Sequence, residues 1–274
     1  MEVLSRQPAA EEDEECEDLR PLFEERLGDP SAPCVTFDFG GGMAPLSLLQ
    51  RPEAFRRSAA VGAEGVTQQQ DCPTERTRRT GCVVWDASVV LAALVVSLAS
   101  DGRLGLEGGA AVELGSGETG LVGLALARAL GPSQTKGCVL TDVPELLPAL
   151  QRNLERNAMA PNGAAVIARP FVWGDAQSGL ATSQWPEALR PPFALLLAAD
   201  CIYDTENVPP FMAALRELSG LESQVFVAFD RALGRSGAYA SFDRMAREEW
   251  LVELVPLEAQ HPQFRKPDVA VYRL

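Results

Sequence analysis

A chain of 274 residues, 46% of them hydrophobic, can bury a sizeable core, and one domain with a tail is expected. The formal charge of −14 repels phosphate backbones and argues against nucleic acid as a partner. No stretch reaches the roughly 20 uninterrupted apolar residues of a membrane span, and a single histidine, His261, leaves a histidine-rich metal site or a Ser-His-Asp triad built elsewhere without its parts.

The N-terminus is acidic and lacks an apolar signal core, and Glu11, Glu12, Asp13, Glu14, Glu15, Glu17 and Asp18 read as a solvated, flexible tail within residues 1–33. Cys16, Cys34, Cys72, Cys82, Cys138 and Cys201 form no C-x-x-C pair and read as free thiols of a reducing compartment, so a cytoplasmic or also nuclear location is expected. A domain over 34–274 opens with alternating residues from Cys34 to Phe39, a break at Gly40-Gly41-Gly42 and a second extended run to Leu49, which predicts a β-hairpin. Residues 51–80 turn polar and carry Arg56, Arg57, Arg76, Arg78 and Arg79, the composition of a mobile insertion. The small and aliphatic residues of 87–99 then predict a helix buried on more than one face.

Beyond this point short apolar runs alternate with helical patterns. Strands are predicted at Ala110–Leu114, 138–141, 165–169, Phe193–Ala199, 225–229, 251–255 and Val269–Arg273, with helices at 121–130, 145–157, Val208–Leu218 and 236–248. Such alternation predicts an α/β sandwich on a mostly parallel sheet, with the last two strands antiparallel because only the loop 256–268 joins them. Ligands in such sheets bind beyond the carboxyl ends of the strands.

Polar residues collect at those ends. Gly115-x-Gly117-x-x-Gly120 follows the first of these strands, a spacing that lets the backbone turn sharply and approach a ligand, although alone it suits a dinucleotide equally well. Glu113 precedes the glycines and suits a cationic ligand. Asp142 ends the next strand, placed either for ribose hydroxyls or to cap the helix that follows. Trp173 and Asp175 offer an aromatic plane and an acid to an adenine, and Asp200 and Tyr203 follow Ala199. Three successive strand ends carry an acid and none a base, which fits a cationic nucleoside such as S-adenosylmethionine better than a dinucleotide.

The stretches GCVVWDASVVLA, VELGSGETGLVGLALA, TDVPELLPALQRNLERN, WGD and AADCIYD resemble the seven-β-strand protein-lysine methyltransferases of methyltransferase-like family 16. Residues 81–87, 199–203, 255–258 and 267–272 are most similar to the branch whose substrate is an AAA ATPase. The resemblance implies a Rossmann-like class I methyltransferase sandwich with a mostly parallel seven-stranded sheet and an N-terminal β-hairpin. It implies that Trp85, Glu113, Gly115, Ser116, Gly117, Asp142, Val143, Trp173 and Ala199 bind S-adenosyl-L-methionine, that Asp200 and Tyr203 face the methyl-transfer site, and that no metal takes part. The implied partner is a lysine-bearing protein, a chaperone or an AAA ATPase, with neither nucleic acid nor membrane involved and a monomer expected. The chain departs from the pattern at Glu118 and Thr119, which are bulky for a glycine loop, and at Asp230, where that branch resembles a glutamate. Alternative readings make Asp200 a helix cap, the protein a non-catalytic binder that retains the fold, or the methyl acceptor a small molecule or nucleic acid. The missing N/D-P-P-[YF] motif after the fourth strand weakens the last of these.

Overall fold

The computed structural model describes residues 27–54, 80–157 and 164–274. The acidic run at 11–18, Cys16, Cys72 and the arginines expected on the insertion lie outside the described residues. Strands β1 (Cys34–Phe37) and β2 (Leu46–Leu49) pair antiparallel, Val35 opposite Leu48 and Phe37 opposite Leu46, which is the expected hairpin. The other described strands form one sheet. They are β3 (Ala110–Leu114), β4 (Gly137–Asp142), β5 (Val166–Pro170), β6 (Phe193–Ala199), β7 (Ser219–Asp230), β8 (Glu253–Leu254) and β9 (Val269–Arg273), in the order β5-β4-β3-β6-β7-β9-β8. From β5 to β7 all neighbours are parallel, and β9 runs antiparallel to both β7 and β8.

The apolar runs are continuous because both faces of the sheet are covered. Ala111, Leu195, Leu197 and Phe226 share one core with helices α1 (Asp86–Ser100) and α2 (Leu121–Ala129). Their alternates Val112, Leu196, Val225 and Val227 share the other with α5 (Val208–Leu218) and α6 (Ser236–Glu249). Helix α1 is the extreme case: Val89 to Val96 are all buried, so no polar face was available to mark its orientation in the sequence.

Four elements differ from expectation, one of them the strand read at 251–255, which is reduced to the two exposed residues Glu253–Leu254. The strand read at 225–229 begins six residues earlier, at Ser219, where only its last part is apolar and buried. Helix α3 (Leu147–Arg156) starts after a turn at Pro144 and Glu145, and α4 (Ala176–Ala181), six residues with no buried side chain, has no apolar stripe to announce it. Helix α3 also holds the hairpin. The Asn157 and Asn153 side chains accept from Ser47 and Leu49 N–H at 2.9 and 2.7 Å and donate to the carbonyls of the same residues at 2.8 and 3.0 Å.

The order of the parallel strands sets the place of the site. From β3 the chain builds outward to β4 and β5, then returns to lay β6 on the other side of β3, so a crevice opens beyond the carboxyl ends of β3 and β6.

Candidate methyl-donor and acceptor cleft

The glycine loop occupies this crevice. Gly115 and Gly117 take φ of +63° and +61°, a region that a side chain disfavours. A Cβ on Gly115 would stand 2.5 Å from Cys201 Sγ and 3.3 Å from the Trp173 ring, and one on Gly117 would stand 2.8 Å from the Gly81 carbonyl. The loop is tied on both sides: Ser116 N–H donates to Thr141 O at 2.9 Å and Glu118 N–H to Gly81 O at 2.7 Å. Glu118 adds no bulk to the cleft, because its buried carboxylate turns away from it and takes Arg51 in an ion pair with Nε at 2.7 Å.

Asp142 stands beside the loop at the end of β4. Its two oxygens accept from Gly117 and Val143 N–H, each at 2.7 Å, and burial pushes its carboxyl up to about 6 in spite of these bonds. Helix α3 begins five residues later with Leu146 as its cap, so capping is not the task of Asp142. Each carboxylate oxygen keeps acceptor capacity for a ligand hydroxyl. Trp173 forms a wall of the same cleft, packed edge-on against Phe211 at 5.1 Å between centroids. Asp175 corrects the reading of an acid beside the adenine: it is exposed, lies off the cleft and caps α4 by accepting from Gln177 N–H at 3.1 Å.

Glu113 is the second correction. It was expected among the donor-binding residues, but its side chain lies on the α2 side of the sheet, opposite the Val112 and Leu114 side, and its Oε2 accepts from Gly123 N–H at 2.9 Å. It is 3% exposed and does not line the cleft. Burial pushes its carboxyl up to about 7, against the bonds it accepts. Its work is to fasten the first turn of α2 to β3.

Every other residue expected at the donor or transfer site, from Trp85 to Tyr203, lines one open cleft of about 1140 Å³, counting the space at its mouth. Just beyond β6, Asp200 takes φ of +52°, donates its N–H to Ala228 O at 2.8 Å and accepts from Asp230 N–H on Oδ1 at 3.0 Å. The helical turn that follows is capped by Asp204, which accepts from Glu206 N–H at 3.1 Å, so Asp200 is not the cap. Tyr203 and Trp85 face the same space, and the Trp85 indole N–H donates to Thr80 O at 2.8 Å.

Two residues here were missed in the sequence. Arg235 places its guanidinium carbon 5.7 Å from the Trp85 ring centroid and 5.8 Å from that of Tyr203. Lys266 bridges Asp86 at 2.8 Å and Asp230 at 3.0 Å, directly behind the Asp230 N–H that holds Asp200. Desolvation pulls the Lys266 ammonium down, but the two carboxylates together outweigh it and hold the group above its ordinary value. The departure at Asp230 is thereby explained as one arm of a buried ion cluster. A basic residue five positions past a strand end was the available signal for Arg235. Lys266 lies 180 residues from Asp86 and offered none.

Residues 68–247 match the family model described as lysine methyltransferase. The chain belongs to this family. Among curated proteins it is 30% identical over 145 residues to the EEF1A lysine methyltransferase 3 of Xenopus tropicalis, covering 53% of this chain and 55% of that one. It is 37% identical over 111 residues to the protein-lysine N-methyltransferase EFM6 of Saccharomyces cerevisiae, covering 39% and 43%. The chain thus spans about half the length of the curated relatives it matches. A crystal structure of the SAH-bound Podospora anserina methyltransferase PaMTH1 is similar at 16% identity and a TM-score of 0.43, covering 85% of this chain and 98% of that one.

The cleft of this family member fits S-adenosylmethionine. An adenosine needs a flat apolar wall, a carboxylate for its ribose and backbone close enough for contact. Trp173 with Phe171, Asp142, and the side-chain-free surface of Gly115 and Gly117 supply these in one continuous space.

Proposed function

We propose that this protein transfers a methyl group from S-adenosylmethionine to a lysine side chain of another protein, and that the acceptor is a chaperone or an AAA ATPase. The observation that carries the reading is Asp200. It lines the cleft just beyond the carboxyl end of β6, in a left-handed backbone conformation uncommon for a non-glycine residue, with helix capping assigned to Asp204 instead.

S-adenosylmethionine supplies an electrophilic methyl group on a sulfonium when bound. The residues of the chain must present an uncharged amine to it. A lysine with a pKa of about 10.4 costs roughly 4–5 kcal/mol to neutralise at pH 7, and desolvation beside the positive sulfonium lowers that cost by disfavouring the ammonium. One Asp200 oxygen is held by the Asp230 N–H. This fixes the carboxylate so that it accepts a hydrogen bond from the amine and aims its lone pair, and positioning of this kind supplies much of the acceleration. No strong base is required, since water can take the proton before the amine enters.

The choice of acceptor is supported by the likeness of residues 81–87 and 199–203 to the branch that acts on an AAA ATPase. Both curated relatives are named for protein lysine methylation, one of them on elongation factor 1A. Incubation with radiolabelled S-adenosylmethionine and a lysate lacking the enzyme should label a chaperone or AAA ATPase band on lysine. The Asp200→Asn variant, which tolerates the left-handed backbone, should bind S-adenosylhomocysteine within a few-fold of wild type and label roughly 100-fold less. Labelling of elongation factor 1A alone would correct the acceptor, and full labelling by the variant would remove Asp200 from the chemistry.

A further inference from the structure

We infer that Arg235 holds the carboxylate at the amino-acid end of the methyl donor, an assignment that rests on the donor reading above. Arg235 is the one basic side chain among the described residues that line the cleft. It is half-buried, and no carboxylate among the described residues pairs with it. Its guanidinium is held by two ring faces. Stacking of this kind engages the plane of the group and leaves most of its five N–H donors, which point outward along the edge, for a ligand.

The chemistry of the cleft says which ligand. Asp142 and Asp200 give it two carboxylates, which suit the hydroxyls, the ammonium and the sulfonium of the donor. The donor carries a single anionic group, and among the described residues Arg235 is the one cation that lines the cleft. The positions agree with this pairing. Asp142 and Trp173 fix the adenosine over β4 and β5, so the amino-acid tail must run across β3 and β6 towards β7. Two to three strand spacings separate β4 from that side, roughly 10–14 Å, the reach of a nucleoside with an extended tail. Arg235 follows β7 and leans back over Tyr203 and Trp85 to meet it. A fork of parallel N–H groups matches a carboxylate bidentately, which a lysine in its place would not do.

Calorimetric titration of the full chain with S-adenosylhomocysteine and with 5′-methylthioadenosine, which lacks the amino-acid end, tests the assignment. Arg235→Gln should weaken S-adenosylhomocysteine roughly 10- to 100-fold and leave 5′-methylthioadenosine within about twofold. Retained binding of the shorter ligand shows that the cleft is still folded, and Arg235→Lys should recover part of the loss. Equal weakening of both ligands, or unchanged binding of both, overturns the assignment. Unchanged S-adenosylhomocysteine binding with lost methyl transfer also overturns it and moves Arg235 to the acceptor protein. If the wild-type protein binds neither ligand, the donor reading itself fails, a result distinct from any obtained with the variant.

Discussion

Two buried carboxyls, Asp142 and Glu113, are pushed towards neutrality by desolvation, to about 6 and about 7. Their positions give these shifts different consequences. Asp142 lines the cleft, and its ionised form is the one that can accept from ligand hydroxyls on both oxygens. Protonation converts one oxygen into a donor, so affinity for S-adenosylhomocysteine should fall as pH drops through 6, approaching tenfold per unit below it. Calorimetry between about pH 5 and 8 checks this, and an Asp142→Asn variant should bind weakly with a flat profile over the same range. Glu113 faces the protein interior, so its titration bears on folding. Its folded carboxyl lies above the ordinary value of 4.5, hence it binds a proton more readily folded than unfolded. The associated stability is fully present below about 4.5 and is lost as pH rises through about 7.

The turn from β3 into α2 combines two demands that only glycine meets at Gly117: a positive φ and the Gly81 carbonyl 2.8 Å from where a Cβ would stand. Gly117→Ala should therefore push the loop away from Gly81, shift the N–H that Asp142 accepts and weaken S-adenosylhomocysteine at least tenfold; titration of the variant against wild type measures it. The same turn shows what was legible in advance. Its glycines, the apolar strand before it and the helix after it are local patterns, and Ala110–Leu114, Phe193–Ala199, Val208–Leu218 and Val269–Arg273 stand where apolar runs bounded by turn residues placed them. Asp142 and Asp200 were legible for the same reason, as acids that end parallel strands. Glu113 was misplaced because its neighbour Leu114 is still within the strand, so the pleat sends the two side chains to opposite faces. Asp175 and Asp142 look alike in sequence, and only the helix start after each separates cap from cleft residue. Arg235 and Lys266 reach the site through tertiary contacts, which no local pattern encodes.

Across the whole molecule, Lys266 joins the start of α1, the end of β7 and the loop before β9, while Asp86 also accepts from Leu27 N–H at 3.0 Å. Lys266→Met would leave two buried carboxylates facing each other and should cost about 3 kcal/mol in urea unfolding. The triple variant Asp86→Asn, Lys266→Met, Asp230→Asn should regain most of that, because it removes all three charges together. Asn153 of α3 and Asn157, which caps its C-terminus, have a consequence of another kind. Strand β2 pairs with β1 along one edge, and its other edge presents Ser47 and Leu49 N–H and C=O groups in the manner of an open template for another chain. The Asn157 and Asn153 amides reproduce the donor and acceptor pattern of a neighbouring strand against those groups. A two-stranded hairpin is thereby closed against recruitment of a further strand at this edge, and addition of an extended peptide or of a second hairpin there is blocked by side chains that occupy the rung positions themselves.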